Sequence, residues 1–514
     1  MTGLLTYADA YTAYREGDLP RCHQITGQLL QAAPDGAAAL LRAISTPATD
    51  VAKAEALYRA SCRLAPYDAD SWFNLGVWLE GQGRLPEATI VYRRALALDP
   101  QHMGALLNGT QMLRVNEYFE ETLPHARRLQ QLAPDSPAGF THEAIALQHL
   151  GYLDEADPVF AQAVKRSADP ALLHWEHHFS LLARGRFAEA WDNYEVRFAC
   201  GEANGVDDMA FALPRWDGTP GQHVLVYGEQ GIGDQLMFAS ALPQLAHVAE
   251  RVSLAVAPAL VAIFAASFPD IAVYSIEQKR DPAACAALAA QAGAEPPVDC
   301  VLPIGSLMTH FRRDRERFSG KPYLRASDDA RAFWRARATA PRKGARRPLR
   351  IGLCWACNPS AERFFTARRA VHRTMPFDQI VRLAAIEGVE ASAITNVPLH
   401  MFGPDAAAST DIIDVSAALT NIDRTAALVE GLDLLVTVDT GVAHLAGALG
   451  VPVWVLLHKG GDARWGKWGT PDSYWYESAR LFWQQEAGNW PELIDRVAAM
   501  LKDRARARRR RGSA

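Results

Sequence analysis

Prolines 66, 100 and 134 recur at intervals of 34 residues, and each closes a helix-like run: Arg63-Leu-Ala-Pro66, Ala97-Leu-Asp-Pro100 and Gln131-Leu-Ala-Pro134. Pro34 and Pro170 lie close to the same lattice, at spacings of 32 and 36. Within one period, Trp72, Leu75, Gly76, Leu79, Gly83, Ala88, Tyr92 and Ala95 alternate small and bulky side chains. A period of this length encodes one helix pair per unit. Small residues let paired helices approach, and aromatics fill the gaps. No single unit can bury its apolar face alone, so the units must stack into a solenoid with a concave surface. The next unit is less regular, with Leu106, Thr110 where a small residue is expected, and Thr122 where Ala is usual. The pattern recovers at Phe140, Ala144, Gly151, Ala156, Phe160 and Ala163, and a last pair carries Trp175, Gly185, Phe187, Ala190 and Tyr194. Residues 1–198 are therefore predicted to be an α-helical repeat domain whose concave face is available to a peptide or protein.

A Gly- and Pro-rich stretch, 199–221, reads as a linker. Beyond it the patterning alternates strand and helix, first over 222–346 and again over 347–502. Strand-like runs lie at His223–Tyr227, Val252–Val256, Ile271–Tyr274, Leu349–Trp355, Glu390–Ile394, Ile412–Val415, Leu434–Val438 and Pro452–Leu457. β-α-β order implies parallel sheets covered by helices, here two Rossmann-like domains. Two glycine turns follow strands and open helices: Gly228-Glu-Gln-Gly-Ile-Gly-Asp234 and Asp439-Thr-Gly-Val-Ala-His444. In that context backbone N–H groups and a helix dipole hold anions, so a phosphate-bearing ligand is expected in a cleft between the halves. The last helix is predicted from Trp490 to Asp503, with 503–514 a basic, disordered tail.

Apolar residues make up 49% and charged residues 22% of the chain, as in soluble globular proteins. A net charge of −5 gives no general field for nucleic acid. Seven scattered cysteines suggest a reducing compartment rather than a disulfide framework. Cys354 and Cys357 have CxxC spacing, but with no second pair they read as core cysteines. No charged leader followed by an apolar stretch, and no run of about 18 apolar residues, is evident, so a cytoplasmic protein without a membrane span is expected.

The segments Pro214-Arg-Trp-Asp-Gly-Thr-Pro-Gly221, Gly228–Asp234, Arg350-Ile-Gly-Leu-Cys-Trp355 and Val436–Leu457, together with the repeats, resemble bacterial tetratricopeptide-repeat (TPR) proteins carrying a glycosyltransferase domain. That domain is related to the lipopolysaccharide heptosyltransferases and, in architecture, to the O-linked N-acetylglucosamine transferases. The resemblance spans essentially residues 50–502. It implies a GT-B fold, α + α/β overall: a TPR-like solenoid followed by two Rossmann-like domains, with a nucleotide-sugar donor held mainly by the C-terminal one. It also implies inversion at the anomeric carbon, with no metal and no cofactor. The expected function is transfer of a hexosyl- or heptosyl-type sugar to a protein acceptor presented by the solenoid. Two alternatives remain: a scaffold with a degenerate nucleotide-binding domain, and an enzyme of glycolipid or polysaccharide assembly.

Such a reaction needs a base on the acceptor side and charge stabilisation at the leaving phosphate. Gly441, Thr440 and the helix behind them suit the phosphate side. His444 would point from the first helical turn toward the cleft, and Asp439 would fix the turn through backbone N–H groups. Asp234 occupies the position of the relatives' proposed general base, with helix N-cap as its alternative reading. Glu229 is the other candidate base, and nothing in the sequence separates the two. Gln230, Gly231 and Gly233 line the same loop near the acceptor. The resemblance assigns donor contacts to Asn358, Arg373 and Thr374, with Arg363, Arg368, Arg369 and His372 on the same basic loop. Thr395 and Asn396 are placed to meet the base or ribose. Trp465, in Lys459–Trp465, is either a stacking platform or a buried aromatic.

Overall fold

A computed structural model describes residues 5–201, 206–277, 281–294, 296–337, 348–356, 373–395, 397–402 and 411–511. It resolves into two compact units, 1–168 and 169–514.

The first unit is helical. Helices pair as Ala69–Gly81 with Leu85–Leu98, Met103–Val115 with Phe119–Leu132, and Pro137–His149 with Leu153–Arg166. The small residues do what the pattern requires. A Cβ on Gly76 would stand 2.5 Å from the Tyr92 ring, so only glycine lets that helix pair close. Between paired helices the chain reverses through a left-handed residue. Gly83 and Gly151 take φ of +72° and +86°, while the irregular repeat puts Glu117 at φ +61°. Thr110 and Thr122, the two departures from the small-residue pattern, are both fully buried.

The second unit opens with the last helix pair, Ala171–Ala183 and Phe187–Tyr194, and a 3-10 turn, Glu195–Ala199. Although these residues continue the repeat lattice, they pack with the α/β region. Trp191 is fully buried, donates from Nε1 to the Arg312 carbonyl at 2.9 Å, and meets Trp475 edge-on. Phe187 packs on Phe318 and Tyr474.

Two parallel sheets follow. The first contains β1 (His223–Tyr227), β2 (Arg251–Val256), β3 (Ala272–Ser275) and β4 (Cys300–Pro303), in the order β3-β2-β1-β4. The second contains β5 (Leu349–Cys354), β6 (Val389–Ala393), β7 (Ile412–Asp414), β8 (Leu434–Val438), β9 (Val453–Leu457) and β10 (Ala479–Trp483), in the order β10-β9-β8-β5-β6-β7. Every named strand pair is parallel. β1, β8 and β9 are buried along their whole length, as strands covered on both faces must be. The architecture is thus a helical repeat followed by two parallel α/β sheets.

Three local features differ from expectation. β4 and β10 are not evident from the sequence: β4 is only four residues long and is set among prolines at 296, 297 and 303, and β10 carries Arg480 within its apolar run. The helix-like pattern that the sequence carries from Gln235 to Ala249 is realised in pieces, Ile232–Phe238, a 3-10 turn and Leu242–Val248, with Pro243 opening the last. The helix from Trp490 runs on to Arg511 rather than ending at Asp503. Its inner face, Leu493, Ile494, Val497, Leu501 and Ala505, is buried, each large side chain contributing about 2 kcal/mol. The arginines beyond find partners: Arg504 on the Asp433 carbonyl, Arg508 on the Asp433 carboxylate and Arg509 on Glu387.

Candidate functional site

In a doubly wound sheet, ligands bind outside the carboxyl ends of the strands, where strand order reverses. In the second sheet that point lies between β5 and β8. The Thr440 hydroxyl sits there, 3.0 Å from the Thr437 hydroxyl and 3.9 Å from the Cys354 sulfur. Thr440 is the N-cap of helix Gly441–Ala448, yet its side chain makes no capping bond, leaving the first turn without a capping side chain. Arg373, past β5, reaches Asp439 at 3.4 Å. Asp439 also accepts from Trp465 Nε1 at 2.8 Å. Asp439 thereby ties side chains of two other loops to its own turn. Thr374 adjoins Arg373 and is half-buried. Thr395 follows β6 and accepts from the Val397 N–H at 3.1 Å, holding its own turn. Asn358, Cys357, Arg363, Arg368, Arg369, His372 and Asn396 lie outside the described residues.

His444 is buried against its neighbours. Its ring stacks on Trp465 at 4.4 Å and 13°, and Nδ1 lies 3.1 Å from the Tyr476 hydroxyl. Burial holds its pKa below the usual histidine value, with the Asp439 charge opposing, so the imidazole is neutral at pH 7. Trp465 is 1% exposed and is a buried aromatic, not an open stacking platform.

The first sheet reverses between β1 and β4, and there the chain fills the crevice itself. Glu229, just past β1, takes Arg197 on both oxygens at 2.7 and 2.8 Å and the Gly305 N–H at 3.0 Å. Arg197 also donates to Ser306 and Glu195. Side-chain exposures of 0% and 2% make this a buried ion pair. Burial raises the Glu229 pKa, and the Arg197 charge opposes that. Glu229 is thereby a strut joining the last helix pair to the β1 and β4 loops, a poor position for a base. Gln230 takes φ +58° and donates Nε2 to the Tyr194 hydroxyl, so the same segment sets the next residue of the turn.

Asp234 stands elsewhere. Gly231, not Asp234, is the N-cap of its helix. Asp234 occupies the third helical position and accepts the Gly231 N–H at 3.0 Å. Its other oxygen pairs with Arg464, which lies in the Lys459–Trp465 segment and to which the sequence assigned no role. Arg464 is itself gripped by Asp462, at 3.0 and 2.9 Å from Nε. These charges hold the Arg464 pKa well above its ordinary value and the Asp462 carboxyl well below its own, against burial. The only sequence signal was the spacing Asp462-Ala-Arg464.

The two glycine turns meet. A Cβ on Gly233 would lie 3.2 Å from the Gly441 Cα and 3.2 Å from His444 Cδ2. Asp234 and the Thr440–His444 segment are consequently neighbours across the junction of the two sheets. The arrangement offers a carboxylate on one side and a hydroxyl, a helix N-terminus and two guanidinium groups on the other. Chemically, that suits proton abstraction opposite a developing phosphate charge.

Comparison with known proteins finds a tetratricopeptide repeat at residues 69–102 and a glycosyltransferase family 9 (heptosyltransferase) domain at 406–481. Protein FlbA of Caulobacter vibrioides is 28% identical over 475 residues, covering 87% of this chain and 75% of that protein. Among solved structures, YrrB, described as a TPR protein with an unusual peptide-binding site, aligns at 16% identity and TM-score 0.31 over 34% of this chain and 92% of its own. A structure of Naa15/Naa10 bound to HypK-THB aligns at 17% identity and TM-score 0.30 over 38% of this chain, which spans 31% of that one. The chain thus joins a tetratricopeptide repeat to a glycosyltransferase family 9 domain.

Proposed function

We propose that this chain is an inverting glycosyltransferase that needs no metal and moves a hexosyl- or heptosyl-type sugar from a nucleotide donor to a protein acceptor. The observation that carries this is the apposition of Gly233 and Gly441, which sets Asp234 against the Thr440 turn. The family 9 domain and the repeat support the reaction class and the presence of a protein-binding element.

In this reading the nucleotide lies over the β5/β8 reversal, beside Thr395, with Asn358 and Thr374 as further contacts. Its diphosphate rests on Thr440, the N–H groups of the helix Gly441–Ala448, and Arg373. Asp234 takes the proton of the acceptor hydroxyl, whose oxygen attacks the anomeric carbon. The bond from that carbon to the diphosphate oxygen breaks, and the electron pair leaves with the diphosphate. Neutral His444, held by Trp465 and Tyr476, contributes shape and hydrogen bonding rather than charge. Gln230, Gly231 and Gly233 form the acceptor-side rim. A protein acceptor is favoured over a lipid because the repeats provide a surface that a small acceptor does not require. The absence of any helix long and apolar enough to cross a membrane, among the described residues, is compatible with cytoplasmic work.

The test is incorporation of labelled sugar by purified protein. Label in a protein band, lost in Asp234→Asn while nucleotide binding persists, is the expected result. Label confined to a lipid extract would move the assignment to glycolipid assembly. Nucleotide binding without any transfer or donor hydrolysis would leave a scaffold.

A further inference from the structure

Arg464 joins the two sides of the site. Asp462 engages its Nε and Nη2, and the remaining nitrogen, Nη1, crosses to Asp234. The turn that carries it is fixed on both flanks. Trp475 donates to the Arg464 carbonyl at 2.7 Å. Trp465, the next residue, donates to Asp439 at 2.8 Å and stacks on His444. One guanidinium therefore stands between the carboxylate opposite the acceptor and the turn assigned to phosphate, with only its Nη1 end committed to Asp234.

We infer that Arg464 is shared in turn by Asp234 and the diphosphate, so that donor binding arms the base. Without donor, Arg464 occupies Asp234 and neutralises it. A diphosphate brings at least two negative charges and a bidentate acceptor geometry that a guanidinium matches well. It outcompetes the single carboxylate for Nη1. Asp462 keeps its hold, so the guanidinium pivots rather than leaves. Asp234 then retains the Gly231 N–H and gains a free oxygen for the acceptor proton. Deprotonation of the acceptor is thereby confined to the complex in which a leaving group is present. This inference rests on the transferase reading above.

The competition has a signature that a structural ion pair lacks: removing the Asp234 charge should strengthen phosphate binding. The probe is inorganic pyrophosphate, titrated calorimetrically into the full chain. Asp234→Asn should tighten pyrophosphate binding about tenfold, because the competent state of Arg464 becomes the populated one. Arg464→Met should weaken it at least tenfold, and Asp234→Asn added to Arg464→Met should change nothing further. Circular dichroism checks the fold of each variant, and should Arg464→Met not fold, the Asp234→Asn titration decides alone. Unchanged or weaker binding in Asp234→Asn overturns the sharing while leaving the transferase reading intact. Wild-type protein that binds neither pyrophosphate nor ADP, CDP, GDP or UDP overturns the transferase reading and the inference with it.

Discussion

Arg197→Met removes the charge that neutralises Glu229 in the core. In the wild type Arg197 covers both carboxylate oxygens, and the Gly305 N–H adds a third bond. Neither side chain of the pair reaches solvent appreciably, so screening by water does not soften the loss. Removing one partner of a buried pair leaves an uncompensated charge, at about 3–5 kcal/mol. That is about two to four orders of magnitude in the folding equilibrium. Glu229 can escape part of the penalty by taking up a proton. Its folded-state pKa, already raised by burial, then rises further, and the native state binds more protons than the unfolded one. Stability of the variant consequently falls as pH rises above the unfolded carboxyl value of about 4.3, until the folded pKa is passed. Urea unfolding followed by tryptophan fluorescence, with Trp191 packed on the Tyr194 ring that Arg197 overlies, should show a smaller deficit at pH 5 than at pH 8. Arg197→Met combined with Glu229→Met should recover at least about half of the loss, because an apolar pair replaces the ionic one. A single-variant deficit below about 1 kcal/mol, or a double variant no better than the sum of the singles, would refute the reasoning.

Three further outcomes are expected. Burial pulls both His178 and His142 down to about 3, far below the unfolded value near 6.5. The native state refuses these protons, so stability is full above pH 6.5 and falls below it by up to about 1.4 kcal/mol per pH unit per histidine. His178→Asn should reduce the loss between pH 6.5 and 5 by roughly 2 kcal/mol in urea titrations, and an unchanged slope would count against the assignment. Glu117→Gly relieves a left-handed φ that an L-residue holds at about 1–2 kcal/mol, offset by greater freedom of the unfolded chain. A net gain of about 0.5–1 kcal/mol is expected, and a loss would contradict it. Gly233→Ala forces the two glycine turns apart by a few tenths of an ångström. Turnover should drop at least about tenfold while the melting temperature changes little, and activity within twofold of wild type would show that the apposition is unimportant.

The repeat region and the sheet strands were legible because both rest on periodicity. Gly76 and Tyr92 at their fixed spacing describe a packing contact directly, and β8 and β9 are runs flanked by turns and apolar throughout except for Thr437. The glycine turns were legible as local geometry, including the strand before and the helix after each. What the sequence withheld is which partners meet across long separations. Glu229 and Asp234 lie five positions apart around one glycine turn and look equivalent in sequence, yet one is sealed by Arg197 and the other, in the first turn of the helix, faces Arg464. Local pattern carries no record of a partner at residue 197 or 464. The same holds for the last helix pair, whose Trp175, Ala190 and Tyr194 fit the repeat while its packing partners come from the α/β region. The arginine-rich end read as a solvated tail because its composition is that of one. Its helix persists because Asp433 and Glu387 happen to face it.

The most direct measurement is the structure of the protein with a nucleoside diphosphate bound. The account predicts the terminal phosphate within hydrogen-bond distance of the Thr440 hydroxyl and the Gly441 N–H, with Arg373 alongside and the Asp234 carboxylate across the junction. Phosphates seated over β1 and β4, or on a surface away from Thr440, would contradict it.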